Sequence, residues 1–129
     1  LPVDIVAAED CTVMFLNGKT LLNTCDNSCT FHHTLIRNLL GIVAQKNMYL
    51  NQKIKYTSRK TTREKLMAYL TDQAKLKRSN DFTIPFNRQE LADYLGVERS
   101  AMSAELGKLT KLGILRTQRS HFTLLKPLD

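Results

Sequence analysis

The sequence predicts a mainly α-helical chain with a small β component. Three observations lead to this prediction. The stretch from Ser28 to Tyr56 has no proline, one glycine and apolar residues at helical spacing. Two shorter helical patterns meet at Gly96, and two short β-prone runs follow them near the end of the chain. We therefore expect one long helix, followed by a small domain of helices and a β-hairpin.

The composition is that of a folded domain of modest size. Hydrophobic residues make up 43% and charged residues 24% of the 129 residues, which is typical of globular proteins. This length allows one small domain and a piece of another. No apolar run approaches the roughly 20 residues that span a bilayer, and no signal peptide opens the chain. We expect a cytoplasmic protein that has no membrane partner.

The positive charge lies in the C-terminal part of the chain. Residues 1–52 hold three of the 19 basic and four of the 12 acidic residues, which leaves 16 basic and eight acidic residues for 53–129. The net charges of these two parts are −1 and +8. A polyanion such as nucleic acid is the natural partner of the basic part. An anionic membrane surface, or solubility alone, is an alternative explanation.

The three cysteines, Cys11, Cys25 and Cys29, all lie in the first quarter of the sequence. Their odd number and their position indicate reduced thiols rather than a disulfide framework. Cys25 and Cys29 are followed by His32 and His33, but the paired spacing of zinc sites is missing. Metal or redox sensing is an alternative, whereas we predict no metal and no cofactor in this chain.

Residues 1–27 are predicted to contain two strands and a short helix. Val3, Ile5 and Ala7 alternate with Asp4 and Val6, and the β-prone run Cys11–Leu16 precedes a turn at Asn17-Gly18. Residues 19–25 then have a helical pattern. Because two strands do not form a stable sheet alone and the first residue is not Met, we expect 1–27 to be the remnant of a larger β domain.

The long helix, residues 28–57, is predicted to dimerise. One apolar stripe has coiled-coil spacing with Asn47 at one position, and a second stripe flanks it. Such a helix is roughly 40 Å long, too long to be covered by so small a chain. We predict self-association, with a pair of Asn47 side chains helping to set the register; burial in a missing domain is the alternative. The predicted dimerisation residues are Leu35, Ile36, Leu39, Leu40, Ile42, Val43, Asn47, Leu50 and Ile54.

A break at Thr57-Ser58 separates the long helix from a second helix, predicted for residues 61–77. Thr61 and Glu64 have the spacing of a capping box at its start. The break is a candidate hinge. Phe82–Phe86 is predicted to be a short edge strand, because Pro85 cannot donate to a β ladder. The predicted apolar face of the helix consists of Leu66, Met67, Tyr69, Leu70 and Ala74.

The next segment has the pattern of a helix-turn-helix. Asn87 caps a helix over Arg88–Leu95, Gly96 supplies the positive φ of a tight turn, and a new helix begins near Arg99. Ala92 is small where the second helix crosses over the first. An aliphatic residue is common at the position of Glu105, so Leu106 and Leu109 are expected to supply that packing. The predicted inward-facing residues are Leu91, Leu95, Val97, Met102 and Leu106.

A hairpin follows the second helix. Residues 114–125 are predicted to form two strands around a basic turn at Gln118–Ser120. A helix-turn-helix followed by a basic hairpin is a winged helix, in which the second helix enters the major groove and the wing contacts the phosphate backbone. The polar face of the second helix could also be merely solvated, but the hairpin favours DNA binding.

These residues resemble a known family. The segment Phe82-Thr-Ile-Pro-Phe-Asn-Arg-Gln-Glu-Leu-Ala-Asp-Tyr-Leu-Gly-Val-Glu-Arg-Ser-Ala-Met-Ser103 is similar to the helix-turn-helix of Crp/Fnr-type regulators. The wing that ends in His121-Phe-Thr-Leu-Leu is similar as well, and the resemblance extends back through Thr61–Leu66 and the long helix to Cys11–Leu16.

The resemblance implies a bacterial transcription regulator that binds palindromic double-stranded DNA as a homodimer and contacts RNA polymerase. Residues 58–129 would be its winged helix-turn-helix domain. Residues 1–27 would end an effector-sensing β-roll, most of which lies upstream, so the effector is unknown.

The resemblance also implies the roles of individual residues. Arg88 and Gln89 would contact phosphate, and Arg99, Ser100 and Ser103 would face bases. The family often has arginine at the position of Ala104. The full set of predicted DNA-contacting residues is Arg88, Gln89, Arg99, Ser100, Ser103, Ala104, Lys108, Arg116, Arg119, Ser120 and His121.

Other functions have less support from the sequence. His32, His33 and His121 have no nucleophile or carboxylate pattern around them, and no phosphate-binding glycine loop occurs, so we do not predict an enzyme. A nonspecific or architectural DNA binder is the main alternative, because the charge of residues 53–129 favours any duplex. A winged helix that contacts only proteins is a further one.

Overall fold

The computed structural model describes residues 4–22 and 29–126. The chain divides into two units, Leu1–Gln45 and Lys46–Asp129, which are described separately. No helix within the described residues is long and apolar enough to cross a membrane.

In the first unit, residues 4–17 contain no strand, and all their side chains are exposed. The prediction of strands over 3–7 and 11–16 is therefore wrong for the residues described. A β-prone run forms a strand only when a neighbouring strand satisfies its backbone, and none pairs with these residues here. The predicted turn at Asn17-Gly18 is instead a helix start. Asn17 Oδ1 accepts hydrogen bonds from the backbone N–H of Lys19 and Thr20, at 3.0 and 3.4 Å.

The two longer helices follow the sequence pattern closely. Helix α1 covers Gly18–Leu22, α2 covers Thr30–Thr57 and α3 covers Thr62–Lys77. Both halves of the predicted capping box at the start of α3 are present, since Thr61 accepts from Glu64 N–H and the Glu64 side chain bonds back to Thr61 N–H. The break between α2 and α3 is confirmed. Residues 23–25, the predicted end of α1, lie outside the described residues.

The helix-turn-helix is confirmed. Helix α4 covers Arg88–Leu95 and α5 covers Arg99–Lys111. Asn87 and Glu90 form a capping box at the start of α4. Gly96 ends it with φ of 60°, and its N–H bonds to the last turn of the helix. A turn this short makes α5 cross α4 closely. Ala92 is fully buried, and its methyl group is too small to hold the two helices apart.

A three-stranded antiparallel sheet completes the second unit. Its strands are β1 (Asp81–Thr83), β2 (Leu115–Gln118) and β3 (His121–Leu124), in the order β1-β3-β2. The antiparallel pair of β2 and β3 confirms the predicted hairpin, and the outer position of β1 confirms the predicted edge strand. Strand β1 is shorter than the predicted Phe82–Phe86, because pairing stops before Pro85, which has no N–H to donate.

One hydrophobic core holds the second unit together. Helices α3, α4 and α5 each bury one face in this core, where α3 packs against β1 and α5 packs against α4 and β2. Every residue predicted for the apolar face of α3 is buried. Val97 is the one predicted inward-facing residue of the helix-turn-helix that is only partly buried. The largest fully buried side chains are Phe122, Leu66, Leu70, Leu91, Leu95, Met102, Leu109 and Leu115.

Aromatic side chains connect the end of α2 to α3 and α4. The ring centroid of Tyr94 lies 5.7 Å from that of Tyr49 and 6.1 Å from that of Tyr56. Tyr56 also meets Tyr69 of α3 edge-on at 5.5 Å and donates a hydrogen bond to Asp72 Oδ2 at 3.0 Å. Burial raises the pKa of Tyr56, Tyr69 and Tyr94, so these rings stay neutral at physiological pH. The last turns of α2 are thereby fixed to the helices of the second unit.

Two glycines allow a direct test of the turn. A side chain at Gly96 would meet Thr57 at an ordinary 3.8 Å, so the cost of Gly96→Ala is the left-handed backbone alone, about 1–2 kcal/mol. Gly107 lies inside α5 with open space around it, and Gly107→Ala should stabilise the fold by about 0.5–1 kcal/mol. Urea unfolding measures both changes. Effects of the same sign would contradict this turn geometry.

Candidate nucleic-acid interface

Helix α5 has one buried and one exposed face. Met102, Leu106 and Leu109 are buried in the core. The five predicted DNA-contacting residues of α5 lie on the opposite face and are all exposed, including the three predicted to face bases, Arg99, Ser100 and Ser103. Those five residues are Arg99, Ser100, Ser103, Ala104 and Lys108.

An acidic residue caps the start of α5, which the sequence analysis did not anticipate. Glu98 Oε2 accepts a hydrogen bond from Ala101 N–H at 3.0 Å and another from the Ser100 hydroxyl. The Ser100 bond, followed by the backbone bonds, lowers the pKa of Glu98. The Ser100 hydroxyl donor is therefore engaged within the protein. An acidic residue directly before a predicted helix start was the available signal for this cap.

The wing presents two arginines to solvent. Arg116 on β2 and Arg119 at the turn are exposed, and neither forms an ion pair with another described residue. Arg119 adopts the left-handed backbone with φ of 53°. Their guanidinium groups are thus available to a phosphate backbone.

Two other predicted wing residues are already paired within the domain. The Ser120 hydroxyl donates to Phe86 O at 2.9 Å, which ties the turn to the segment before α4. His121 Nε2 lies 2.7 Å from Asp81 Oδ1, and its Nδ1 lies 3.1 Å from the Thr83 hydroxyl. The His121 contacts hold β3 against β1, and the Ser120 bond holds the turn to the segment before α4, so both side chains serve the wing's structure in the absence of a partner.

At the start of α4, the two residues predicted to contact phosphate differ in exposure and in hydrogen-bond partner. Gln89 is exposed and donates to Asp93 on the next turn at 2.9 Å. Arg88 is half-buried, and its Nη2 donates to the Thr117 hydroxyl of β2 at 2.5 Å. Desolvation lowers the pKa of Arg88. The structure thus joins Arg88 to the wing rather than leaving it exposed beside Gln89.

Glu105 stands where an aliphatic residue is common, and two basic side chains form ion pairs with it. Arg63 of α3 lies 2.6 Å from one carboxylate oxygen of Glu105, and Lys108 lies 3.7 Å from the other. Leu106 and Leu109 are buried as predicted. An ion pair between α3 and α5 therefore replaces the aliphatic contact, and Lys108 is partly neutralised by Glu105.

A family comparison matches this part of the chain. Residues 64–128 match the family described as the Crp-like helix-turn-helix domain. The chain belongs to this family. Its Crp-like domain includes most of α3, the helix-turn-helix and the wing, so the resemblance seen in the sequence is confirmed. The second unit is therefore a DNA-binding winged helix-turn-helix domain.

Two solved structures are similar to this chain. One is described as a transcriptional regulator of the Crp/Fnr family from Eubacterium rectale, with 16% identity and a TM-score of 0.47 over 76% of this chain and 43% of its own. The other is the reduced, Fe(II) CO-sensing protein from R. rubrum, with 18% identity and a TM-score of 0.37 over 75% and 47%. The chain spans less than half the length of either protein. A search of curated proteins found no match.

The described residues contain no group of three or more His, Cys, Asp or Glu side chains that could hold a metal ion. Cys11 is exposed and Cys29 is half-buried. Cys25 lies outside the described residues, so the alternative of a metal or redox site that includes Cys25 and Cys29 is not tested.

The Glu98 cap predicts a pH dependence of stability. Its pKa is lower in the folded chain than the ordinary value of 4.5, so its contribution to stability is present above pH 4.5 and is lost as the pH falls through the lowered folded pKa. Glu98→Gln has no carboxylate to protonate. The stability difference between wild type and Glu98→Gln should therefore narrow as the pH falls below 4.5 in urea unfolding.

Glu9→Gln is the matched control, because Glu9 is exposed and bonds to no other described residue. The free energy of unfolding of Glu9→Gln should change with pH in the same way as that of the wild type. A gap between wild type and Glu98→Gln that does not change with pH would contradict the charged cap.

Proposed function

We propose that the protein is a sequence-specific transcription regulator that binds palindromic DNA as a homodimer. The observation that carries the proposal is the exposed amino-terminal face of α5, with Arg99 at its start, within a Crp-like domain that also has a basic wing. In a helix-turn-helix, this end of the second helix reaches base edges in the major groove.

The contacts divide between bases and phosphates. Arg99 is suited to guanine, because its forked donors match the O6 and N7 acceptors in the major groove. Ala104 leaves one position of the helix without a polar side chain, so a target sequence borrowed from other family members would not apply. The proposed base-facing residues are Arg99, Ser100, Ser103, Ala104 and Lys108. The proposed phosphate-contacting residues are Gln89, Arg116, Arg119, Ser120 and His121.

The charge distribution supports DNA as the partner. Residues 53–129 hold 16 basic and eight acidic residues, and two wing arginines have no acidic partner among the described residues. Neutralising phosphates releases counterions, which gives affinity for any duplex and steers the first encounter. Base contacts at α5 would then select the site.

The exposed side of α2 supports a dimer. Leu40, Val43, Leu50 and Ile54 lie on the heptad stripe and are 54–64% exposed. Asn47 lies on the same stripe and is also exposed. A stripe of this length in water favours a parallel pair of helices, with Asn47 against its counterpart. The two α5 helices would then read half-sites about 34 Å apart.

The end of α2 is the proposed route of the signal. An upstream effector domain, continuing residues 1–27, would change how the paired helices of 28–57 pack. The Tyr49 and Tyr56 contacts with Tyr94 would carry this change into α4, and the break after Thr57 would allow the domain of 58–129 to turn. Contact with RNA polymerase is proposed from the family resemblance alone.

A nonspecific, architectural DNA binder is the second candidate. The excess of positive charge in residues 53–129 supports it, because such a charge binds any duplex. The two functions differ in the ratio of specific to nonspecific affinity rather than in affinity itself.

DNA titration tests the proposal and separates the candidates. A duplex selected from a random pool should bind roughly 10³-fold or more tightly than random duplex at physiological salt. Arg99→Ala should cost about 1–3 kcal/mol on the selected duplex and relax base preference, whereas Arg119→Ala should weaken all duplexes alike. Equal wild-type affinity for both duplexes would favour the architectural function. Identical behaviour of the two variants would show that the residue roles are wrong.

A charge on the heptad stripe tests the dimer. Leu50→Glu should weaken dimerisation by about 100-fold or more, because an unpaired charge in an apolar interface costs several kcal/mol. Gln52→Glu adds the same charge on the opposite side of α2 and should leave the dimer intact. Sedimentation equilibrium measures both. A wild-type chain that is monomeric at high concentration would refute dimerisation through this helix.

A further inference from the structure

Arg88 links α4 to the wing. It is the first residue of α4, and the capping box formed by Asn87 and Glu90 fixes the backbone on which it stands. Its side chain extends away from α4 towards the hairpin of β2 and β3 instead of into solvent. The position of the guanidinium is therefore determined by two elements that are far apart in the sequence.

The guanidinium contacts both strands of the wing, at residues that face each other across the hairpin. Its Nη2 donates to the Thr117 hydroxyl on β2 at 2.5 Å, and its central carbon lies 4.9 Å from the centroid of the Phe122 ring on β3. Thr117 and Phe122 are direct partners in the β2–β3 register. Stacking on an aromatic ring and a hydrogen bond from the fork are the contacts for which arginine is suited and lysine is not.

Holding Arg88 in this position is costly. Its Nη1 is closed off from solvent and has no hydrogen-bond partner among the described residues. A buried donor without an acceptor, on a charged group, destabilises the fold. The same burial keeps a phosphate oxygen from reaching Nη1, and Nη2 is already bonded to Thr117. Binding of a DNA phosphate through Nη1 would therefore require Arg88 to leave the wing.

We propose that Arg88 is a positioning residue for the wing, and that it does not bind phosphate itself. It sets the tilt of β2 and β3 against α4, so that Arg119 meets the backbone while α5 lies in the groove. The wing has a second attachment, the bonds of Ser120 to Phe86 O and Ile84 N–H, at 2.9 and 3.0 Å. Loss of Arg88 therefore leaves the hairpin attached but changes its angle. This inference rests on the proposed DNA binding.

A double-mutant cycle tests the proposal, with affinity for a selected duplex measured over a series of salt concentrations. Each phosphate contact contributes about 0.9 to the slope of log K against log salt. Arg88→Gln should reduce the slope in the wild-type background, and it should cause no further loss in the Arg116→Gln/Arg119→Ala double variant, because Arg88 acts through the arginines of the wing. Thr117→Val removes no charge and touches no phosphate, yet it should reduce the slope in the same direction.

Arg116→Gln is the matched control. It removes an exposed arginine from the same strand without touching Phe122 or Thr117, and its effect should add to that of Arg119→Ala. A slope loss for Arg88→Gln that persists in full in the Arg116→Gln/Arg119→Ala background, together with an unchanged slope for Thr117→Val, would overturn the proposal and make Arg88 a phosphate ligand.

A measurement without DNA separates this inference from the proposed function. Backbone amide chemical shifts of residues 115–124 in the free protein should change in Arg88→Gln and in Thr117→Val, while those of α3 stay as in the wild type. Unchanged wing amides in both variants would overturn the positioning role, even if the wild type binds its duplex. A wild type that binds no duplex would refute the proposed function, and the amide shifts would still decide how Arg88 acts.

Discussion

The close crossing of α4 and α5 is the constraint on which the second unit depends. Gly96 reverses the chain with a left-handed backbone, and Ala92 is fully buried, with a small side chain that lets the two helices approach closely. Lys65 of α3 donates to Gly96 O at 3.2 Å, so the turn is also held from outside. A wider angle would expose Leu95 and Met102, each of which is fully buried. The same angle decides which face of α5 remains in solvent.

The turn also lies where the long helix meets the domain. The methyl group of Thr57, the last residue of α2, is an ordinary contact distance from the position of a Gly96 side chain. Tyr94, two residues before the Gly96 cap, packs against Tyr49 and Tyr56 of α2. Side chains packed this closely cannot deform independently, which is the physical basis of the proposed signal route. The structural element that presents α5 is thus the one that contacts α2.

Local patterns in the sequence were sufficient for most of the second unit. Capping boxes, a glycine turn and helical spacing each involve residues within about four positions, and all of these predictions are confirmed for α3 and α4. The strands predicted in residues 3–16 failed for a related reason, since β-propensity is local but strand formation needs a partner. Glu105 looked like a misfit in the sequence, because its partner Arg63 is 42 residues away.

The sequence by itself determined the helices, the turn at Gly96 and the exposed polar face of α5, because hydrophobic spacing and backbone preferences act over short distances. The tertiary structure alone decided which polar side chains remain available. It joined Arg88 to Thr117, His121 to Asp81 and Ser120 to Phe86, and it left Arg99, Arg116 and Arg119 exposed. The physical reason is that hydrogen bonds and ring stacking between distant segments depend on three-dimensional packing, and sequence spacing does not encode it.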